Sequence, residues 1–221
     1  MKSTINFRNA VKGFSLALMI IVSVACSTGS EEPAFNPLPT VPVPTPTVIP
    51  GLVEYSDELG AFSIKYPDAW NLDIAFIEEI EKSVKDLIES KIDADVENFR
   101  VVFAACEDDF QNCLNVTAES LTFDFSLNGY YSASKARVSE FLPSHETERL
   151  SRIDVGGIQA ILDESRVKAS DIDPSLSGLY GQTSLTLMKD RTAWTVTCEF
   201  PMETNIFESC ESIVRTFRIF D

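Results

Sequence analysis

The chain has 221 residues, 44% hydrophobic and 24% charged, which fits one domain of ordinary size with appendages and excludes a wholly disordered protein. It is acidic, with 18 Lys and Arg against 34 Asp and Glu and a net charge of −16. This argues against nucleic-acid binding, because a phosphate backbone is met by cations that displace its counterions. The single histidine argues against most His-built metal sites.

Met1 to Ser30 contain no acid, and Lys2, Arg8 and Lys12 form a basic start. Gly13–Val24 is apolar but shorter than the about 20 residues a membrane span needs. It has the length and flanks of a secretory signal. The sequence then reads Ser23-Val24-Ala25-Cys26, which resembles a bacterial lipobox. That resemblance implies cleavage after residue 25 and lipid on Cys26. Loss of residues 1–25 removes three of the 18 basic side chains and no acid. The more acidic remainder is repelled by anionic lipid, so the membrane is expected as a partner through acyl chains and not through a basic patch. Residues 26–50 form the expected tether. Seven of the eleven prolines lie here, alternating in Val41-Pro42-Val43-Pro44-Thr45-Pro46. Such a run favours extended polyproline II and could reach up to roughly 75 Å.

Residues 51–221 read as one domain. Strands are expected at Val53–Tyr55, Phe62–Tyr66, Arg100–Ala105, Leu114–Thr122, Glu146–Val155, Ile158–Val167, Ser184–Met188 and Ala193–Phe200. Turns are expected at Ser56–Gly60, Gly156-Gly157 and Lys189–Arg191. Helical stripes run through Leu72–Ser90, Asn128–Leu142 and Glu203–Arg215. Long strands in hairpins with helices between groups predict an α+β fold.

Phe62-Ser63-Ile64-Lys65-Tyr66-Pro67-Asp68-Ala69-Trp70 resembles the opening motif of PsbP-like domains. Val155-Gly156-Gly157 with Ala160 resembles their central hairpin. Cys198, Phe207, Cys210, Ile213 and Thr216-Phe217-Arg218 resemble their last strand and helix. The resemblance implies an α/β/α sandwich around an antiparallel sheet. It implies a superfamily of extrinsic photosystem subunits, a Ran-binding factor and bacterial lipoproteins, and it brings no catalytic residue with it.

Besides Cys26 there are Cys106, Cys113, Cys198 and Cys210. Four cysteines in an exported chain allow two disulfides in three connectivities. Trp194, Val196, Cys198 and Phe200 alternate onto one face, taken as the buried one, and Cys210 lies on the apolar stripe of the following helix. Those two sulfurs are expected to meet, and Cys106 and Cys113 to close the short loop Glu107–Asn112. Zinc is not expected, since neither pair has metal-ligand spacing.

No nucleophile elbow or phosphate loop occurs. His145, in Pro143-Ser144-His145-Glu146, reads as a solvated loop residue. Asp93–Glu97 and Asp171-Ile172-Asp173 read as turn acids and not as calcium loops. Asn115-Val116-Thr117 is a glycosylation sequon that reads as strand. Ser170–Gln182 is the longest expected irregular stretch, and Tyr130 and Tyr180 are the expected partner contacts. These residues predict a lipid-anchored, extracytoplasmic, non-catalytic binding or assembly module with an envelope protein partner. No cofactor, metal or catalytic residue is expected. The membrane would be the outer membrane or the outer face of the cytoplasmic membrane. The alternative is a carboxylate- or metal-dependent hydrolase of the envelope.

Overall fold

The computed structural model describes residues 51–72, 77–78, 81–82, 98–107, 112–172, 177–204 and 206–220. The expected signal, Cys26 and the tether lie outside the described residues, as do Asp93–Glu97 and most of the expected helix Leu72–Ser90. Of that helix, Ile77, Glu78, Glu81 and Lys82 are described and are helical.

The described elements are β1 (Leu52–Ser56), β2 (Phe62–Pro67), β3 (Asn71–Leu72), β4 (Phe99–Cys106), β5 (Cys113–Ser120), α1 (Leu127–Phe141), β6 (Glu146–Val155), β7 (Ile158–Lys168), α2 (Ala169–Ile172), β8 (Leu179–Lys189), β9 (Thr192–Pro201), α3 (Phe207–Val214) and β10 (Arg218–Ile219). The main sheet has seven strands in the order β3-β4-β5-β9-β8-β7-β6, and a small sheet has the order β1-β2-β10. All pairings are antiparallel. The expected α+β class holds. Helices lie on both faces of the main sheet, and the first hairpin forms a separate small sheet.

One face of the main sheet is apolar. Phe103, Leu114, Leu162, Leu185, Val196 and Phe200 pack there against Cys210, Ile213 and Val214 of α3 and against Phe62 and Ile64 of the small sheet. Phe62 joins the layers, with ring centroids 5.6 Å from Trp194 and 5.7 Å from Phe217. Each such fully buried side chain contributes about 1.5–3 kcal/mol, and this face carries most of the fold's stability.

Helix α1 covers the opposite face. It starts where Ser126 Oγ accepts from Gly129 N at 3.0 Å, satisfying one of the orphan donors of the first turn. Tyr130, Tyr131, Ser134 and Val138 are its buried side. The alternation in β9 was expected to bury one face. Both are buried, because Thr195, Thr197 and Glu199 lie beneath this second layer.

Two other expectations are corrected. Strand β8 begins at Leu179 and not at Ser184, so Leu179–Gln182 of the expected irregular stretch are strand; α2 ends at Ile172, and 173–176 lie outside the described residues. The expected helix Glu203–Arg215 is divided into a 3-10 turn at Met202–Thr204 and α3.

The molecule has two distinct ends. At the turn end lie residues 57–61, Gly156-Gly157, Asp190-Arg191 and the C-terminal strand. Phe220 N donates to Ala61 O at 3.0 Å there, and Leu121 N to Arg191 O at 2.7 Å. At the disulfide end, Asp68 N donates to Gly51 O at 2.7 Å, and Asn71 pairs with Cys106. Strand β8, with 11 residues, separates the ends by about 35 Å at ~3.3 Å per residue.

Candidate functional site

The face under α1 is the chemically loaded one. Successive rungs of the ladder place polar side chains side by side. Asn115 pairs with Thr197, Thr197 with Ser184, and Ser184 with Asp163. One rung further, Cys113 pairs with Glu199, Glu199 with Gln182, and Gln182 with Ser165. Three carboxylates, Glu119, Asp163 and Glu199, are buried on this face. A buried carboxylate is costly unless hydrogen-bonded or neutralised, and each of the three meets that demand in its own way.

Glu119 Oε2 accepts from Tyr130 Oη at 2.9 Å. Asp163 Oδ2 accepts from Tyr131 Oη at 2.8 Å and from Lys135 Nζ at 2.5 Å. Glu199 Oε1 accepts from Gln182 Nε2 at 3.2 Å. Burial pushes the Glu199 carboxyl up to about 8, against a smaller downward pull from that bond. It is therefore mostly protonated at neutral pH.

Asp163 is the centre of a cluster. Helix α1 supplies Tyr131 and Lys135 one turn apart, β7 supplies Asp163, and the start of β6 brings in His145. Lys135 Nζ stands 3.4 Å from His145 Nε2. Burial, and then the Lys135 charge, lower the His145 imidazole to about 4, which Asp163 only partly opposes. Burial lowers the Lys135 ammonium, again with Asp163 opposing. Burial first, then the Asp163 charge, push the Tyr131 phenol well above its ordinary range. Lys135 and Asp163 thus form a half-buried ion pair beside a neutral imidazole.

Ser134, Val138, Gln182, Ser184 and Thr186 complete the wall around these groups. Asp163 Oδ1 and His145 Nδ1 are buried without a protein hydrogen-bond partner. The cavity there measures ≈ 20 Å³, which is room for a water and not for a substrate. The groups can hold a proton or order a water. What they do to the fold is clamp α1 to β7 and to the start of β6.

Sequence reasoning missed this cluster. His145 was read as solvated and is half-buried, because α1 ends over it and Leu142 O accepts its backbone N–H at 2.9 Å. Ser144 is turned away: its Oγ accepts from Lys168 N at 2.8 Å, and its own N–H donates to Asp171 at 2.8 Å. The Ser144 side chain first, and then its N–H, hold the Asp171 carboxyl below its usual range against the opposing effect of burial. Two signals were present. Lys135 sits on the same helical stripe as Tyr131 and Val138, and Asp163 sits on the same strand face as Ile161 and Val167.

The other expected site residues fall out as follows. Cys106–Cys113 and Cys198–Cys210 are the disulfides, as the strand–helix and loop arguments require. Tyr130 does not present itself to a partner. It is 2% exposed and packs with Leu121 and Ala193. Tyr180 is half-buried at the disulfide end of β8, opposite Pro201. The two tyrosines are not brought together. Asn115 is buried, and its amide donates to Thr197 O at 3.3 Å, so the sequon is strand and out of reach of a glycosyl donor. No helix of the described residues is long and apolar enough to cross a membrane.

No protein-family model matches the sequence, and no curated protein matches it. Solved structures do. Cyanobacterial PsbP from Synechocystis sp. PCC 6803 aligns over 81% of this chain and 99% of its own, at 14% identity and a TM-score of 0.51. The Ran-binding protein Mog1p of Saccharomyces cerevisiae aligns over 77% and 96%, at 10% identity and 0.46. LpqN of Mycobacterium tuberculosis, described as involved in cell envelope biogenesis, aligns over 77% and 91%, at 9% identity and 0.43. At such identities the likeness is one of fold. With the antiparallel sheet and its helices, the match to cyanobacterial PsbP makes this a PsbP-like α+β fold.

Proposed function

We propose that this chain is a lipid-anchored, extracytoplasmic binding or assembly module without catalytic chemistry of its own. The observation that carries the reading is the combination of a lipobox-like Cys26 with a domain whose other four cysteines are closed in two disulfides. Disulfides of this kind form and persist outside the reducing cytosol. The size of the cavity beside Asp163 supports the non-catalytic part, since the most reactive side chains surround a space of ≈ 20 Å³ and small-molecule pockets run to hundreds of Å³.

Metabolic labelling with a fatty acid tests the anchor. The wild-type chain takes up label and partitions into detergent, and Cys26→Ala does neither. Equal incorporation into both sinks the anchor. Turnover of an envelope substrate that is lost in Asp163→Asn, with folding intact, overturns the non-catalytic reading.

A further inference from the structure

The two edges of the main sheet differ. On the β4 side, Asn71 and Leu72 of β3 pair with Cys106 and Ala105, and Glu81 Oε2 accepts from Val101 N at 3.1 Å. The other edge is β6, ten residues long and last in the strand order. Among the described residues, its backbone bonds only within the β6–β7 ladder. An edge left open in this way is a template for another strand.

The β6–β7 turn decides which backbone groups face outward. Gly156 and Gly157 have φ of 63° and 85°, and a two-residue turn of this kind is closed by a bond between the residues that flank it. Those residues are Val155 and Ile158, which stand opposite each other. Bonded and non-bonded pairs then alternate along an antiparallel ladder. Val155, Ile153 and Ser151 therefore turn their N–H and C=O toward β7, and Asp154, Arg152 and Leu150 turn theirs outward. The register shifts between Thr147 and Arg149, so the regular part of the edge is residues 150–155.

Two side chains of this stretch are charged and unmatched. Arg152 donates to Asn128 Oδ1 of α1, and Asp154 Oδ1 accepts from Gly157 N at 2.9 Å. Neither has an ion-pair partner among the described residues, whereas Arg149 is paired with Glu164 and Glu211, and Arg166 with Glu146 and Glu148. As positions i and i+2 of one strand, Arg152 and Asp154 share a face.

One register of two antiparallel copies matches both. A two-fold axis at Ile153 sets Arg152 opposite Asp154 of the second copy, and Asp154 opposite Arg152 of the second copy. These are the residues whose backbone groups face outward, so each pair also exchanges both of its backbone bonds. An axis at Arg152 or at Asp154 sets like charges opposite each other, which is destabilising. An axis at Leu150 or Ser151 carries the pairing into the irregular part of the strand.

We infer that β6 is a self-association edge: two copies of this chain pair antiparallel through residues 150–155 about Ile153, joining their main sheets into one. The inference stands apart from the binding-module reading. A second copy is the occupant because the charge pattern of the edge is complementary to its own reverse. The acidity of the chain opposes association, but it is screened beyond about 8 Å at physiological salt, and the Arg152–Asp154 contacts are direct.

The test co-expresses two differently tagged full chains, lyses the cells in mild detergent and measures how much of one copy is recovered with the other. Wild-type copies should co-purify. Arg152→Asp in both copies, or Asp154→Arg in both, sets like charges opposite each other and should cut the recovery at least about fivefold. Arg152→Asp in one copy with Asp154→Arg in the other restores two opposite-charge pairs, as does Arg152→Asp/Asp154→Arg in both. Each combination should return to the wild-type level, and that rescue shows that the single variants fold. A photo-crosslinking amino acid at position 154 should join the 150–155 segment of the second copy, and one at the exposed position 190 should not. No co-purification, a recovery unchanged by the single swaps, or failure of the rescue overturns the inference. An adduct from 154 to a different protein also overturns it, while leaving the binding-module reading intact.

Discussion

His145 is the one histidine of the chain, so its titration can be followed without assignment. Its ordinary value is 6.5, and in the fold it is lowered to about 4 by burial and by Lys135. The unfolded chain therefore takes up this proton first as pH falls. The stability that neutral His145 contributes is complete above about 6.5 and is lost toward about 4. Imidazole NMR shifts should show a midpoint near 4, and a midpoint above 6 would mean that the cluster with Lys135 and Asp163 is open to solvent. Glu199 works in the opposite sense. Its folded value is raised to about 8 from 4.5, so the folded state holds a proton that the unfolded chain has released, and stability falls as pH rises through that window. Glu199→Gln keeps the shape and the neutral charge and should raise the urea midpoint at pH 8. The reason the sequence hid these two residues is the same for both. Polar positions on a strand or loop read as solvent-facing when no partner layer is in view, and α1 reaches them only through the tertiary fold. Tyr130 misled for the related reason that two adjacent tyrosines on a helix, about 100° apart, can both face the sheet.

At the scale of elements, the two disulfides do different work. Cys106 and Cys113 face each other on β4 and β5, which the ladder already holds together. Cys198 and Cys210 join β9 to α3 across the apolar core, where no backbone ladder connects the two. Chain-entropy arguments give each bridge about 2–3 kcal/mol. Cys113 and Cys210 are both 0% exposed, but only Cys210 lies in the apolar cluster under α3, so Cys210→Ala leaves the larger gap in the core. Its urea midpoint should therefore fall below that of Cys113→Ala, and the reverse order would place the weaker join in the β4–β5 hairpin. This pairing was legible because β9 alternates cleanly and Cys210 lies on the stripe of α3. The start of β8 was not legible. Leu179-Tyr180-Gly181-Gln182 has no clean alternation, and its glycine reads as a turn. Gly181 is in fact strand, placed so that a Cβ there would stand 2.5 Å from the Phe200 ring; Phe200 lies across it from β9, and only glycine admits that approach.

For the whole molecule, the two titrations combine into a profile. Between about 4.5 and 6.5 His145 raises stability with pH while Glu199 lowers it, and the two slopes oppose. Above about 6.5 Glu199 alone of this pair remains, with a fall of up to about 1.4 kcal/mol per pH unit. Urea midpoints should be nearly level from pH 5 to 6.5 and then decline to pH 8, and Glu199→Gln should level the upper arm. An unchanged decline in that variant would assign it to other groups. The class of the fold was readable from hairpin spacing and from Phe62–Trp70, because these depend on local periodicity and turn chemistry. The separate small sheet was not, because β10 pairs with β2 across more than 150 positions of sequence.

Strand β1 runs from Leu52 toward the turn end and, among the described residues, pairs with β2 alone, at five consecutive positions. Under the proposed function, the lipid anchor would hold the molecule by the Gly51 end of this strand. A pull from the anchor would then be directed along the strand axis. The hydrogen bonds between β1 and β2 would load together in shear and not open one after another like a zipper, so under the proposed anchor this edge strand is oriented for mechanical resistance.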